Sequence, residues 1–231
     1  MALSSTTGHA NVVEWLEERQ HRFVAMANEI WDHPEVALRE THAATLQAND
    51  LAQDGFTVTT GLGDLPTAFV AEYRHGDGGP VIGFLGEYDA LPGLSQERSD
   101  FQTPLVPDGP GHGCGHNLLG TASVAAASVL KAWLIASDTA GTVRYYGCPA
   151  EETGEGKSFM ARAGVFDDLD LALTWHPGST TMAWMCSTLA SSKLKYRFHG
   201  RTAHAAGNPE TGRSALDAVE LMNVGVNYLR E

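Results

Sequence analysis

Three short stretches of the chain carry side chains that together can bind a metal ion. Cys114 and His116 lie two positions apart, so in extended backbone their side chains leave on the same side and can share one ion. Glu151, Glu152 and His176 supply further ligand types. A thiolate, imidazoles and carboxylates suit a divalent transition ion such as zinc better than calcium or magnesium, which favour oxygen ligands. These residues therefore indicate metal-assisted hydrolysis.

Each of these residues also has an ordinary explanation, and its sequence context decides between the two. A buried cysteine is usually an inert small side chain, but Gly113 and Gly115 flank Cys114 and permit tight, exposed backbone. A pair of glutamates is most often solvated, whereas this pair follows an apolar segment and precedes a turn. His176 follows a hydrophobic segment and precedes a proline, and this context favours a ligand. His112 lies close to Cys114, and whether it supports the ligands is left open. The histidines interpreted as ordinary polar residues are His9, His21, His33, His42, His75 and His199.

Short apolar segments of strand-like composition lead into these candidate residues. The predicted strands cover residues 81–85, 142–148 and 171–175, and each is followed by acidic residues or by His176. An alanine-rich segment with few helix breakers predicts a buried helix over residues 118–134. This alternation is typical of an α/β fold with an open, mostly parallel sheet and flanking helices. In such folds ligands bind outside the carboxyl ends of the strands.

The remaining sequence predicts the elements around this sheet. Apolar residues at helical spacing predict helices over residues 12–30 and 41–52. Residues 75–79 have the composition of a hairpin turn before the strand at 81. Residues 96–110, with three prolines, predict a loop that is long enough to have a function. The loop leads into residues 111–117, which we call the Cys114 motif.

Composition limits the classes of partner. The formal net charge is −13, from 28 acidic and 15 basic residues, which argues against nucleic acid and anionic membranes as partners. The first nine residues lack the basic and apolar parts of a signal peptide, and no uninterrupted run approaches the ~18 apolar residues of a membrane span. Three cysteines without disulfide-framework spacing fit a reducing compartment. We therefore expect a cytoplasmic protein that acts on a small molecule.

The candidate residues lie in five ordered blocks of mixed chemistry. The blocks are residues 86–96, 111–120, 148–154, 175–177 and 200–206. Together they resemble the two-metal amidohydrolases of the aminoacylase and carboxypeptidase group, clan MH of the metallopeptidases. The resemblance runs from about Glu14 to the end of the chain, and ordered motifs of this length agree by chance less often than a single glycine fingerprint. It implies hydrolysis of the amide bond of an N-acyl or N-aroyl amino acid.

Carried over residue by residue, the resemblance implies a role for each candidate. Two divalent ions, zinc or manganese, would be bound by Cys114, His116, Glu152 and His176. Glu151 would be the general base, because a carboxylate beside the ligands can take a proton from the attacking water and deliver it to the leaving amine. Asp89 would orient an imidazole ligand through its far nitrogen.

The last part of the chain predicts a different kind of element. A strand is predicted over residues 189–198, a loop over 200–212 and a helix over 214–229 with Ser214 as its cap. The resemblance divides the chain into a catalytic metal-binding domain, residues 1–186, and the beginning of a small α+β lid and dimerisation domain, residues 187–231. His204 would reach the partner subunit's site and stabilise the oxyanion. The ordinary alternative is a histidine exposed on a surface loop.

Members of the resembling group continue well beyond the position of Glu231, complete the lid and supply one further histidine ligand. We therefore expect this chain to be a fragment or a short form that is inactive alone. Two other functions remain possible by resemblance: a dipeptidase of the same group, and a non-catalytic metal-binding or assembly subunit. The expected partners are an acyl-amino-acid or dipeptide substrate and a protein subunit, in a homodimer or in a hetero-oligomer with a related chain.

Overall fold

The computed structural model describes residues 9–185, 187, 189–190 and 192–230. They form two compact units, of which the first ends at Thr180 and the second begins at Thr181. The assignment of residues 1–186 to catalysis and of residues 187–231 to a lid stays a prediction.

Three helices open the first unit: α1 (His9–Glu17), α2 (Gln20–Asp32) and α3 (Thr41–Gln53). The single helix predicted over residues 12–30 is wrong, because the chain leaves helical geometry at Arg19, where φ is −115° and ψ is 3°. The helix predicted over residues 41–52 is confirmed. The buried face of α2 has helical spacing and consists of Phe23, Met26, Ala27 and Ile30.

The sheet of the first unit has five strands. They are β1 (Thr57–Thr60), β2 (Phe69–His75), β3 (Val81–Glu87), β4 (Gly141–Cys148) and β5 (Leu171–Leu173), in the spatial order β1-β2-β4-β3-β5. β1, β2 and β4 are antiparallel neighbours, whereas β4, β3 and β5 run parallel. The α/β fold with flanking helices is confirmed. The sheet is mixed, and its parallel half contains the three strands that lead into the candidate ligands.

The turn at residues 75–79 does not close a hairpin. β2 and β3 lie on opposite sides of β4, with β2 antiparallel and β3 parallel to it. The hairpin prediction is wrong because turn residues determine the local bend and do not specify which strand a segment pairs with. One consequence is that Glu87, at the end of β3, pairs in register with Cys148, at the end of β4. The carboxyl ends of the two strands therefore meet.

Helix α4 (His116–Ser137) contains the predicted helix 118–134, and α5 (Gly156–Arg162) follows β4. Val124 and Ala127 of α4 belong to the main apolar core together with Tyr88 and Tyr145. By length and composition alone, α4 is long and apolar enough to cross a membrane. The sequence prediction of no membrane span considered only uninterrupted apolar runs. Helix α4 has no such run of that length, but its mean hydropathy is high. Here the small residues of α4 pack closely in the core.

The second unit contains one longer helix, α6 (Ala215–Asn227), with short 3₁₀ turns at Pro209–Thr211 and Tyr228–Arg230. Ser214 caps α6 as predicted, since its hydroxyl accepts the N–H of Asp217 at 3.0 Å. None of the described residues between 189 and 198 is in a strand, so that prediction is wrong for them; Ser191 lies outside the described residues. A strand requires a hydrogen-bonded neighbour, and composition alone does not supply one.

Candidate metal centre

Helix α4 brings His116 to the carboxyl end of β3. His116 is the first residue of the helix and follows Gly115, whose left-handed backbone (φ +75°) turns the chain into it. The helix approaches the strand closely because Gly120 has no side chain: a Cβ there would lie 2.4 Å from the backbone oxygen of Glu87. His116 is consequently buried beside the last residues of β3.

Asp89 orients the imidazole of His116. Nδ1 of His116 lies 2.9 Å from the backbone oxygen of Asp89 and 3.0 Å from its Oδ1. Both oxygens only accept hydrogen bonds, so Nδ1 carries a proton and Nε2 is the nitrogen that is left to bind a cation. This is the far-nitrogen contact that the sequence predicts for Asp89, and its functional role stays a prediction.

The Nε2 atom of His116 faces two glutamates. It lies 3.0 Å from Oε2 of Glu87 and 3.7 Å from Oε2 of Glu151. Nε2 is buried and has no well-aligned hydrogen bond to any described residue. Burial lowers the pKa of His116, but its interactions with Asp89 and Glu87 outweigh burial and raise the pKa to about 11. Surroundings that favour a proton at Nε2 so strongly also favour a divalent cation there.

Cys114 and His176 complete one set of possible ligands. Sγ of Cys114 lies 3.1 Å from Nε2 of His176, although 62 positions separate the two residues. The ring of His176 stands nearly perpendicular to that of His116, with 6.0 Å between centroids. Burial raises the pKa of the Cys114 thiol, so a nearby cation is needed to favour the thiolate. The ligand atoms that lie within 4.8 Å of one another in this set belong to Cys114, His116 and His176.

The turn that follows β4 is held by a buried carboxylate. Ala150 has φ +56°, a left-handed conformation that is uncommon for a residue with a side chain. Its N–H donates to Oε1 of Glu40 at 2.9 Å. Glu40 is fully buried and also accepts the N–H of Leu38 at 2.8 Å and the hydroxyl of Thr67 at 3.0 Å. This network fixes the turn from which the two candidate glutamates project.

Glu151 and Glu152 occupy different positions in that turn. The N–H of Glu152 donates to Oδ2 of Asp89 at 2.9 Å, so the aspartate joins the turn to His116. Burial raises the pKa of Glu152, against the effects of His116 and of a hydrogen bond with Cys114. The second set of ligand atoms within 4.8 Å of one another belongs to Glu87, His116 and Glu151. The division of roles between the two glutamates stays a prediction.

Three residues of the site were missed by sequence reasoning. Glu87 lies two positions before Asp89, and this spacing places both carboxylates on one face of extended backbone, which is a usable indication. Lys157 of α5 forms an ion pair with Glu87. Burial raises the pKa of Glu87, but interactions with His116 and Lys157 outweigh burial and lower it. Neither Lys157 nor Glu40 lies in a recognisable motif, so no sequence signal indicated them.

The predicted ligand Glu152 belongs to neither set, and the histidines His112 and His204 also lie apart from them. His112 is buried, and its Nε2 donates to the backbone oxygen of Ile30 at 3.1 Å. Burial lowers the pKa of His112 to about 4, so the ring is neutral and supports α2. His204 belongs to the second unit, where it is exposed and its Nδ1 accepts the N–H groups of Ala206 and Gly207, both at 3.1 Å. A neutral His204 therefore carries its proton on Nε2.

The donors present fit divalent metal ions. Nε2 of His116 is buried, and His116 belongs to both sets of ligand atoms. The other members of the two sets are a thiol, a second imidazole and two carboxylates. Mixed nitrogen, sulfur and oxygen donors are typical ligands of transition ions such as zinc. The nearby carboxylates of Asp89 and Glu152 add negative charge that such ions would offset.

Comparison with known proteins identifies relatives of this arrangement. The model of the family described as Peptidase family M20/M25/M40 matches residues 83–223, which is more than half of the chain. The B subunit of the p-aminobenzoyl-glutamate hydrolase of Escherichia coli (strain K12) is 52% identical over 94% of this chain and 45% of its own length. The Xaa-Arg dipeptidase of Mus musculus is 34% identical over 94% of this chain and 49% of its own length. The chain thus spans about half the length of these relatives.

A solved structure supports the same relationship. A Bacillus subtilis protein described as a dinuclear metal-binding peptidase of the M20 family superposes with a TM-score of 0.56 at 28% sequence identity. The superposition covers 66% of this chain and 41% of the other. The fold and the family of the chain are thereby established together.

Proposed function

The chain belongs to peptidase family M20/M25/M40, and from this premise we propose that the complete protein is a metal-dependent amidohydrolase. The proposed reaction cleaves the amide bond between an acyl or aroyl group and an amino acid, as in p-aminobenzoyl-glutamate. The observation that carries the proposal is the pair of ligand sets that share His116 and include Glu151. The 52% identity to a component of p-aminobenzoyl-glutamate hydrolase supports the substrate class.

We assign the metal ligands to Cys114, His116, Glu152 and His176. The bound ions would acidify the attacking water and polarise the amide carbonyl. Zinc and manganese are both proposed: the thiol favours zinc, whereas metal availability decides between ions of similar affinity. Oε2 of Glu87 lies 3.0 Å from Nε2 of His116, so this carboxylate would face the same ion. The ion pair of Glu87 with Lys157 offsets part of its negative charge.

Glu151 is proposed as the general base. Its carboxylate is partly exposed and lies 3.7 Å from His116, so it is near the ligands and accessible to substrate. It would take the proton of the attacking water and return it to the nitrogen of the leaving amino acid. The amine then leaves neutral, which avoids expulsion of an unstable amide anion. Across a dimer, the Nε2–H of His204 in the second unit would supply a donor for the oxyanion at the partner subunit's site.

A dipeptidase is the second candidate for the substrate class. The relative described as a Xaa-Arg dipeptidase is 34% identical, and a dipeptide differs from an aroyl amino acid mainly in the group on the carbonyl side. A third candidate is a non-catalytic metal-binding or assembly role, because the closely similar E. coli protein is described as one component of a hydrolase with named subunits. We propose a homodimer or a hetero-oligomer with a related chain, in the cytoplasm.

The proposal is tested by assaying the complete protein, loaded with zinc or manganese, against three substrate types. These are p-aminobenzoyl-glutamate, N-acetyl amino acids and dipeptides with carboxyl-terminal arginine. We expect the highest kcat/KM for the aroyl substrate. A preference for dipeptides would favour the second candidate. Stoichiometric metal without hydrolysis of any substrate, alone or with a related chain, would favour the third.

A further inference from the structure

A second group of metal-ligating side chains lies where α2 meets α3, outside the residues assigned above. Glu29 and His33 are four positions apart at the end of α2, a spacing that places them on one helix face. His42 is the second residue of α3. Oε1 of Glu29 lies 3.4 Å from Nδ1 of His33 and 3.2 Å from Nε2 of His42. We call these three residues the α2–α3 cluster.

The backbone holds both histidines in place. The N–H of His33 closes α2 by donating to the carbonyls of Glu29 and Ile30. The N–H of His42 donates to both carboxylate oxygens of Glu35, at 3.0 and 2.9 Å, so this glutamate acts as an anchor for the start of α3. The two rings are therefore carried by fixed helix ends, and a ligand would have to order few further groups.

One atom of the cluster lacks a satisfied partner. Nε2 of His42 is buried and makes no well-aligned hydrogen bond with any residue in the described ranges. The rings of His33 and His42 lie 4.6 Å apart between centroids, at 40° to each other. Two imidazoles this close repel each other when both are protonated. Nδ1 of His33 donates to the backbone oxygen of Glu29 at 3.0 Å, so the lone pair of that ring is on Nε2. A shared cation uses one lone pair of each ring and also meets the carboxylate of Glu29.

We propose that Glu29, His33 and His42 bind one divalent transition ion, with zinc as the reference metal. Two imidazoles and a carboxylate are a common zinc ligand set, and a fourth position is left for water. Calcium and magnesium are disfavoured, because they prefer shells of oxygen ligands. The ligand atoms already lie within 4.8 Å of one another, so small side-chain movements suffice for coordination.

The ion would link α2 to α3 next to the candidate metal centre. Ile30, one position after Glu29, accepts the hydrogen bond of His112. Glu35, in the connection between the two helices, accepts the N–H of Ala90 at 2.7 Å through its backbone oxygen. An ion at the α2–α3 cluster therefore stabilises the corner against which the Cys114 motif and the end of β3 are held. The proposed role of this ion is structural.

The test compares zinc binding and thermal unfolding in the chain and in its His33→Gln/His42→Gln variant. We expect the variant to bind about one equivalent less zinc, and zinc to raise its Tm less than it raises that of the unchanged chain. His75→Gln is the matched control, since His75 is a histidine paired with a single carboxylate, that of Asp138 at 3.0 Å. It should retain the full zinc stoichiometry.

The same pair of substitutions is repeated in a Cys114→Ser/His176→Gln background, which weakens the candidate metal centre. The loss of one equivalent should recur there, because the two sites share no ligands. Glu29→Gln leaves both rings in place and should weaken zinc binding at the cluster at least tenfold. Unchanged zinc stoichiometry in His33→Gln/His42→Gln, with native circular dichroism, would overturn the proposal. If the double variant does not fold, unchanged zinc affinity at the cluster in Glu29→Gln would overturn the proposal instead.

Discussion

The His116 site and the α2–α3 cluster use similar side chains in different surroundings. At the first site, Cys114 and His176 come from distant segments that meet at the ends of parallel strands, and His116 is buried against Asp89. At the second, the ligands come from two adjacent helix ends and are partly exposed, with 55% of the His33 side chain accessible. Both groups thus offer ligands that a divalent transition ion accepts. Reaction chemistry additionally requires an oriented imidazole and a nearby base such as Glu151.

The largest effect is expected when the base is removed. Glu151→Gln should turn the His116 site into one that binds metal without catalysis, lowering kcat by about 10²–10⁴-fold in the complete protein. Glu152→Gln should lose both activity and bound metal, because its carboxylate is proposed as a ligand. The measurements are kcat and metal content, with Glu155→Gln, an exposed glutamate of the same turn, as control. Equal metal loss in both variants would contradict the division of roles.

A second comparison concerns the donor in the second unit. His204→Ala should lower kcat by about 10²–10³-fold if the Nε2–H stabilises an oxyanion. If His204 acts across a dimer, mixing this variant with Glu151→Gln should restore part of the activity, because one site then receives both intact groups. His199→Ala, another exposed histidine of this unit, is the control. Subunit exchange without recovered activity would leave His204 as a surface residue.

The orientation of His116 can be tested against a matched pair on the surface. Asp89→Asn replaces the carboxylate, which is one of the two acceptors at Nδ1 of His116, and leaves the backbone oxygen in place; it should weaken metal binding by about 10–100-fold. Asp138→Asn alters a similar 3.0 Å aspartate–histidine contact, with exposed Asp138, and should leave metal binding unchanged. Isothermal calorimetry on both variants decides. Metal affinity of Asp89→Asn equal to that of the unchanged protein would show that the side chain of Asp89 does not position the ring.

The smallest effect is expected in stability, from the carboxylate under the Glu151 turn. Glu40→Ala removes the acceptor of the Ala150 N–H and should cost about 2–3 kcal/mol of unfolding free energy. Glu40→Gln should cost less, since its amide can accept from Ala150 and donate to the hydroxyl of Thr67. Chemical unfolding measures both. A Glu40→Ala variant as stable as the parent would show that the turn does not depend on this acceptor.

Glu40 also predicts a pH dependence. Burial raises its pKa above the ordinary 4.5, so the folded state binds this proton more tightly than the unfolded state. The corresponding stability is fully present below about pH 4.5 and is lost as the pH rises through the raised folded pKa. The parent should therefore lose stability relative to Glu40→Gln as the pH rises from about 4 to about 7. A difference that stays constant with pH would contradict the raised pKa.

The sequence predicts the parallel half of the sheet and the residues at its edge because both depend on local composition. The strands at 81, 142 and 171 are short apolar runs, and glycines mark the Cys114 motif. The strand with which a segment pairs is not determined by its local sequence. For this reason the 75–79 turn was wrongly predicted to close a hairpin, and residues 189–198 were wrongly predicted to form a strand. His33 and His42 were missed for the same reason: nothing in either residue's neighbours shows that two helix ends meet.

The central claim is that the cluster around His116 holds the ions that drive amide hydrolysis, and one measurement tests it most directly. Metal content and turnover of p-aminobenzoyl-glutamate are determined on the complete protein and on its Cys114→Ser/His116→Ala variant, with Cys148→Ala, a buried cysteine assigned no ligand role, as control. We predict that the double variant loses both metal and turnover while the control retains them. Metal content and turnover that remain unchanged in the double variant would contradict the claim.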